Sequence, residues 1–209
     1  MQTIVESASK PKAEYREWDS SYPEAVNALV NELMPNPEHV TFEHVGSTAV
    51  IGCAGKGVID LLALYREGFL TASRDFLLSA GFCPQGPEFG HPWPSNRPML
   101  LGAFRWCEKI YTIYVHIVME SSDEVRRFRL FRDRLSTDPS LVAEYCEVKR
   151  RIIEDGVIDT DEYAVRKRQT IHDILGADYP LKEAQQAVRC NRRQRPSLKS
   201  GSPPPVHPP

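Results

Sequence analysis

The spacing of apolar and polar residues predicts where helices and strands lie along the chain. Apolar side chains recur at helical spacing from Tyr22 to Leu33, which predicts a first amphipathic helix that ends before Pro35. A short strand is predicted at 40–45. Residues 58–64 are apolar on both faces apart from Asp60, as in a strand at the middle of a covered sheet. Residues 71–80 have the pattern of a second helix, and residues 99–106 and 110–119 have that of a β-hairpin.

The last predicted strand divides its side chains between two faces. One face carries Ile113, Val115, Ile117 and Met119, and the other carries Thr112, Tyr114 and His116. Beyond residue 121 the period becomes about 3.6, which predicts helices beginning near Ser122, Pro139 and Asp161. The order of these elements predicts an α+β fold, in which a small mixed β-sheet is flanked by helices and followed by a C-terminal helical cluster.

Composition supports one globular domain with a basic C-terminal end. The chain has 209 residues, of which 26 are Lys or Arg and 28 are Asp or Glu, giving a formal net charge of -2. We predict a flexible leader at 1–14, a folded domain at 15–178 and a basic Pro/Ser-rich disordered tail at 179–209. Such a tail can contact nucleic-acid or membrane phosphates, but solvated disorder is the favoured interpretation.

Cysteine spacing and hydropathy indicate the cellular compartment. The five cysteines are Cys53, Cys83, Cys107, Cys146 and Cys190. They form no Cys-x-x-Cys pair, so neither a zinc site nor a regular disulfide framework is predicted, and free thiols in a reducing compartment fit best. Because the apolar runs are too short for a signal peptide or a membrane span, we expect a cytoplasmic protein without membrane contact.

Two features of the predicted sheet point to chemistry. Asp60 interrupts an otherwise apolar strand, and an unpaired buried carboxylate costs several kcal/mol. Asp60 is therefore expected to hold a metal, a cation or a proton, or else to cap a neighbouring backbone group at a strand end. The second feature is the turn at Gly46 and Ser47, whose N–H groups and hydroxyl can face an anion.

The chain resembles the GrpB family, also called UPF0157, of the nucleotidyltransferase-fold superfamily. The resemblance is carried by the stretches EHVGSTAVIGCAGKGVIDLLALY and YVHIV, and by EYAVRKRQTIHDILGA near the end of the predicted domain. Its strongest motif is the run from His44 to Val50 together with Lys56 and Asp60. A second motif is a repeated Tyr-x-x-x-Lys spacing, Tyr145 with Lys149 and Tyr163 with Lys167. The sequence departs from the usual family pattern at Ile51, Cys53, Gly57 and Tyr114.

The resemblance implies which residues form the site. It implies a catalytic set of Asp60, His116 and His44, and a substrate-binding set of Gly46, Ser47, Thr48, Lys56, Tyr145, Lys149, Tyr163 and Lys167. It also implies that strand carboxylates hold Mg²⁺, for which Asp60 is the candidate ligand. A second carboxylate normally alternates with the first on the same strand, but that position is Leu62, and His116 is a poor Mg²⁺ ligand. The sequence therefore does not support an ordinary two-metal nucleotidyl transfer.

Some of these residues also have structural interpretations. In each Tyr-x-x-x-Lys pair the lysine lies one helical turn beyond its tyrosine, so the two side chains can clamp a phosphate or carboxylate. Alternatively, both tyrosines, Tyr145 and Tyr163, are core residues and both lysines are solvated. A single strand histidine such as His44 can act as an acid or base, or it can form a structural hydrogen bond.

Three functions remain open from the sequence. The first is a transferase-like enzyme of the nucleotidyltransferase fold that acts on a nucleotide or an RNA-linked substrate. The second is an enzyme resembling those of fungal secondary metabolism that are thought to condense aminoacyl-tRNAs, notably arginyl-tRNA, into cyclodipeptides. Acyl transfer from an activated ester needs a base and an oxyanion partner rather than two metal ions. The third is a non-catalytic nucleotide-binding module.

Overall fold

The fold is described from a computed structural model, which covers residues 4–34, 38–85 and 94–176. The predicted tail at 179–209 lies outside the described residues. The helices are α1 (Tyr22–Glu32), α2 (Leu70–Ser79), α3 (Asp123–Thr137), α4 (Pro139–Glu154), α5 (Thr160–Arg166) and α6 (Arg168–Leu175). The strands are β1 (Val40–Val45), β2 (Val58–Tyr65), β3 (Cys83–Pro84), β4 (Met99–Trp106) and β5 (Lys109–Met119). These elements confirm the predicted α+β class.

The five strands form one mixed sheet in the order β1-β2-β5-β4-β3. Strands β2 and β5 are parallel, and the other neighbouring pairs are antiparallel. Asp60 on β2 is therefore aligned with Val45 on one side and with Tyr114 on the other. Two residues further along, Leu62 is aligned with His116. The central position of β2 explains why its sequence is apolar on both faces.

The two faces of the sheet carry different clusters. One face holds the main core, in which Ile59, Leu61 and Val115 pack with α1 residues such as Leu29. The opposite face holds a smaller cluster of Val45, Leu62, Leu64, Val118 and the α3 residue Val125. Because side chains alternate along a strand, Asp60 and His116 lie on this second face. Ile113, Val115 and Ile117 lie in the main core, so the predicted division of the β5 side chains between two faces is confirmed.

The N-terminal segment makes contacts that the prediction of a flexible leader at 1–14 did not include. Val5 is buried at 1% exposure, and Glu6 pairs with Ala103 of β4 through backbone hydrogen bonds of 2.9 and 2.8 Å. Further along, the N–H of Ala13 donates to the carbonyl of Ile158. These bonds place the described part of the leader, residues 4–14, against β4 and the C-terminal helices.

Two details of secondary structure differ from the sequence prediction. The region beginning near Asp161 was predicted as one helix, but it forms α5 and α6, with the backbone changing course at Lys167. Helix α5 begins one residue earlier than predicted, at Thr160, because the carboxylate of Asp159 caps it by accepting hydrogen bonds from the N–H groups of Asp161 and Glu162. The two-residue strand β3 at Cys83 was not predicted, since so short an edge strand has no pattern of its own.

Candidate functional site

The turn between β1 and a short 3-10 helix at Ser47–Ala49 forms one wall of the candidate site. Gly46 has φ +73° and ψ −168°, a conformation that is essentially restricted to glycine. A Cβ at this position would overlap the Oδ2 atom of Asp60 and lie 3.0 Å from its Cβ. Glycine is therefore required both by the backbone conformation and by the close approach of the Asp60 carboxylate.

Asp60 is the carboxylate that faces the site. Its side chain keeps 30% exposure, and its Oδ1 accepts a hydrogen bond from Nε2 of His116 at 3.2 Å. Burial opposes ionisation of this group, but the bond from His116 and the positive charges of Lys167 and Lys56 outweigh that effect. The pKa of Asp60 consequently lies below its ordinary value of 3.8. Asp60 is thus an anchored anion, and the alternative of a strand-end backbone cap is not what the geometry shows.

His116 lies behind Asp60. Its side chain is only 7% exposed, and its ring packs against Phe128 of α3 with the centroids 5.1 Å apart. His116 is not among the residues that line the cavity in front of Asp60. His116, which the sequence analysis places in the catalytic set, therefore contacts Asp60 from behind and does not face the cavity.

Two lysines approach the cavity beside Asp60. The ammonium of Lys56 lies 5.5 Å from the ring centre of Tyr114 and 5.8 Å from that of Tyr163, and Lys167 lies 5.1 Å from the centre of Tyr163. Burial, followed by the nearby charge of Lys167, lowers the pKa of Lys56 to about 8. Burial also lowers the pKa of Lys167, although Asp60 opposes that change. Two desolvated cations at one cavity are an arrangement suited to an anionic ligand.

The Tyr-x-x-x-Lys pair of Tyr145 and Lys149 lies beneath the turn instead of in the cavity. Lys149 is 1% exposed, and its ammonium donates to the carbonyl of Ala54, to Oγ of Ser47 at 3.4 Å and to Sγ of Cys53 at 3.3 Å. The ring centre of Tyr145 lies 4.0 Å from the same ammonium. Lys149 and Tyr145 thus hold the turn from below, which differs from the direct substrate contact expected from the sequence.

His44 belongs to the opposite side of the sheet. It alternates with Glu43, which faces α3 and bonds Arg129, while the Nε2 atom of His44 lies 2.9 Å from Oγ1 of Thr48. Burial lowers the pKa of His44 to about 4 despite the opposing charge of Asp60. Its neighbour in this network is Trp18, whose indole N–H donates to the carbonyl of Thr48 at 3.1 Å. His44 therefore shapes the turn and does not line the cavity.

The cavity itself has a volume of about 90 Å³, enough for several waters or a phosphate-sized group. Among the residues predicted from the sequence, those lining it are Ser47, Thr48, Lys56, Asp60, Tyr163 and Lys167. Glu17, Trp18, Tyr22 and Cys53, which the sequence analysis did not assign to the site, also line it, as does Tyr114, which the analysis placed on the same strand face as His116. Aromatic residues at a helix start or in a loop give no sequence signal that separates a cavity wall from ordinary packing.

Residues 12–177 match the family described as GrpB protein. The chain belongs to the GrpB family. UPF0157 proteins similar to it include one from Streptomyces coelicolor, 29% identical over 63% of this chain and 65% of that protein. Another, from Deinococcus radiodurans, is 30% identical over 64% of each chain. The chain thus spans slightly less than two thirds of the length of these relatives.

Solved structures show the same fold in another GrpB protein. The conserved protein GrpB from Enterococcus faecalis is 24% identical, with a TM-score of 0.59 that covers 84% of this chain and 99% of that chain. The Cid1 poly(U) polymerase, in a form bound to MgATP, is 14% identical over 65% of this chain and 44% of that chain, with a TM-score of 0.45. Across the described ranges, no helix combines the length and hydropathy needed to cross a bilayer.

The residues present in this GrpB site do not fit the Mg²⁺ centre that the sequence resemblance implied. Asp60 and Glu17 are the carboxylates that line the cavity, and the Oδ1 atom of Asp60 is bound to the imidazole of His116. Leu62, at the second carboxylate position, is fully buried. In the part of the chain that the structure describes, no group of three or more His, Cys, Asp or Glu side chains is arranged to hold a metal ion. Two lysines beside Asp60 would also repel a divalent cation.

Proposed function

We propose that the chain is a transferase that binds a phosphate-bearing substrate, a nucleotide or an RNA-linked group, in the cavity in front of Asp60. One observation carries this proposal: the Ser47 turn, the ammonium groups of Lys56 and Lys167, and the carboxylate of Asp60 meet at a single cavity. The GrpB fold brings these groups together from the β1–β2 connection, from β2 and from the junction of α5 and α6.

The phosphate contacts come from the turn and the lysines. The hydroxyl of Ser47 is fixed from below by Lys149, so it faces a ligand without a large loss of side-chain entropy. Lys56 and Lys167 are desolvated in the empty cavity, and the charge of Lys167 lowers the pKa of Lys56. A bound phosphate would offset the desolvation of the two ammonium groups and the repulsion between them, because each would gain a charge-assisted hydrogen bond.

Asp60 would orient the attacking group of the substrate. Its lowered pKa keeps the carboxylate ionised at neutral pH, so it can accept a hydrogen bond from a substrate hydroxyl or amine. A weakly basic carboxylate suits orientation better than proton abstraction. Lys56, with a pKa of about 8, is better placed to exchange a proton near neutrality. Asp60 therefore positions the nucleophile, and Lys56 holds or releases the proton at Nζ.

The test of catalysis is a comparison of small molecules made by a host that expresses the wild-type chain, Asp60→Asn or Asp173→Asn. Asp173 is an exposed carboxylate bound by Gln169, so Asp173→Asn is a matched control for charge removal away from the cavity. Untargeted mass spectrometry should detect a new compound with wild type and Asp173→Asn, but not with a folded Asp60→Asn. Equal product from Asp60→Asn would refute the assignment of Asp60.

The test of binding uses ATP as the probe in titration calorimetry. Lys167→Met should weaken ATP binding at least tenfold, the change expected from the loss of one charge-assisted contact worth about 1.5–3 kcal/mol. Lys12→Met, which removes an exposed lysine outside the cavity, should bind ATP like the wild type. If ATP binding depends on Lys167 but the host makes no new compound, the function is that of a non-catalytic nucleotide-binding module and not of an enzyme.

A second candidate function is the aminoacyl-tRNA-dependent synthesis of a cyclodipeptide. The observation that favours it is that Leu62 and His116, which are aligned with each other next to Asp60, occupy the positions where further metal-binding carboxylates would stand. Acyl transfer from an ester needs an oriented amine and no pair of metal-binding carboxylates. Glu17 at the cavity wall adds a negative charge suited to a cationic amino acid such as arginine. Purified protein supplied with charged tRNA should form a dipeptide product that ribonuclease treatment abolishes. Product that survives ribonuclease would exclude this candidate.

A further inference from the structure

Beneath the turn, two thiols lie in a setting that the proposed transfer reaction does not use. Cys53 lines the cavity, yet its side chain is 2% exposed, and its Sγ lies 3.3 Å from the ammonium of Lys149. Cys146 lies on α4, one helical turn before Lys149, and its thiol neighbours that of Cys53. The two thiols and the ammonium therefore form one buried cluster.

Backbone contacts fix this cluster in position. The Sγ atom of Cys146 lies 3.8 Å from the carbonyl of Gly52 and 4.0 Å from that of Ala54, the two residues that flank Cys53. The ammonium of Lys149 donates to the same Ala54 carbonyl. Helix α4 is thus seated on the 52–54 segment through two side chains on one face, and Cys146 has little freedom to move away from Cys53.

The electrostatics favour a thiolate at Cys53. The neighbouring thiol of Cys146 and the charge of Lys149 outweigh burial and lower the pKa of Cys53 to about 6. The interaction with Cys53, together with burial, raises the pKa of Cys146. One thiol is therefore an anion at neutral pH while its neighbour keeps a proton, which is the division between an attacking and a resolving cysteine.

We propose that Cys53 and Cys146 are an oxidation site that reacts with hydrogen peroxide entering through the cavity and closes to a disulfide. This inference does not rest on the proposed function, because it concerns the thiols alone. Peroxide is small enough for the cavity, whereas the burial of both thiols restricts access by larger oxidants. Lys149 positions and stabilises the reacting sulfur.

The reaction proceeds in two balanced steps. The Cys53 thiolate attacks one oxygen of hydrogen peroxide, the O–O bond breaks, and the departing hydroxide is protonated to water, leaving a sulfenic acid at Cys53. The Cys146 sulfur then attacks the Cys53 sulfur, forming the S–S bond, and the sulfenic oxygen leaves as water with the proton of Cys146. Two thiols are oxidised and one peroxide is reduced to two waters.

The site is tested on the full chain with its five cysteines in place. After treatment with hydrogen peroxide, peptide mapping should find a peptide pair linked through Cys53 and Cys146, while the exposed Cys107 serves as an internal reference for accessibility. In Cys146→Ser, dimedone should trap the sulfenic acid at Cys53. In Cys107→Ser, the linked pair should form as in wild type. Linkage between other cysteines, or oxidation of Cys107 with Cys53 still reduced, would overturn the proposal.

The pH profile separates an activated thiolate from an ordinary buried thiol. For a thiol of pKa about 6, the thiolate fraction rises about 2-fold between about pH 6 and pH 8, whereas for an unperturbed thiol of pKa about 8.5 it rises about 75-fold. The rate of peroxide consumption at Cys53 should therefore rise about 2-fold over this pH range, and that of a reference cysteine peptide about 75-fold. Lys149→Met should make the pH dependence at Cys53 steeper, closer to that of the peptide. An ordinary profile for Cys53 in the wild type would contradict the inference, even if Lys149→Met fails to fold.

Discussion

Replacing Gly46 with alanine should both destabilise the fold and displace Asp60. Gly46 has φ +73° with ψ −168°, a region in which a residue with a side chain is strained by about 1–3 kcal/mol. The added Cβ would overlap Oδ2 of Asp60 and would lie 3.0 Å from its Cβ and 3.1 Å from its Cγ. The carboxylate must then move, which weakens its bond to His116.

These two terms set the expected magnitude. Backbone strain and the weakened charged hydrogen bond together should lower the free energy of unfolding by about 3–4 kcal/mol. For a domain of this size, such a loss corresponds to a fall in the melting temperature of roughly 10 °C. The same displacement should abolish ATP binding at the cavity, because Asp60 and the turn would no longer have the geometry that holds Ser47 against the ligand.

A second glycine provides a matched control. Gly52 has φ +75°, but a Cβ there would meet nothing within 4 Å. Gly52→Ala should therefore cost about 1–2 kcal/mol for its positive φ alone. Urea unfolding of both variants measures the difference, which isolates the contact with Asp60. In an Asp60→Ala background, Gly46→Ala should cost about 1–2 kcal/mol less than in the wild type, because Oδ2 and Cγ are gone.

Two results would refute this reasoning. If Gly46→Ala costs no more than Gly52→Ala, the close approach of the carboxylate to the turn does not exist in solution. If the cost of Gly46→Ala is the same with and without Asp60, the strain is confined to the backbone, and the turn does not position the carboxylate.

Three further predictions concern charged groups. Because the folded pKa of Asp60 lies below 3.8, its stabilising contribution is present above that pH and is lost as the pH falls through the folded pKa. The free energies of unfolding in urea of wild type and Asp60→Asn should therefore converge as the pH falls below 3.8. ATP binding by calorimetry should weaken as the pH rises through about 8, where Lys56 loses its proton, and Lys56→Met should bind weakly at every pH. Lys149→Ala should cost about 2–4 kcal/mol in urea unfolding, because it leaves a buried carbonyl without its donor, whereas Arg151→Ala on the same helix should cost less than about 0.5 kcal/mol.

The strands and the central carboxylate were predictable because their signals are local. An apolar run with one charge is the pattern of a doubly covered strand that holds a site, and Asp60 indeed faces the cavity from β2. The break at Lys167 was not predictable, because Arg166 and Lys167 both favour helix. The break between α5 and α6 depends on tertiary structure, because it falls at Lys167, the residue that reaches the cavity.

The two Tyr-x-x-x-Lys pairs show why the rest of the site could not be predicted. Lys149 and Lys167 have the same local spacing, so the sequence assigns them the same role. In the fold, α4 is seated on the segment around Cys53, which buries Lys149 under the turn, while Lys167 ends α5 beside the open cavity. Only the packing of each helix against the sheet distinguishes a supporting lysine from one that can contact a ligand.

The same packing explains why cationic side chains lie beside Asp60 in this GrpB site. Leu62 stands at the position of a second carboxylate in a metal-binding strand. Its side chain has 0% exposure and packs with Val45 and with Val125 of α3. A carboxylate there would be buried without a cationic partner at a cost of several kcal/mol. Because Leu62 is a core residue at that position, the positive charge that would stabilise a phosphate must come from side chains instead of a metal ion. In the proposed function, Lys56 and Lys167 supply it, and the anchored carboxylate of Asp60 orients the other reactant.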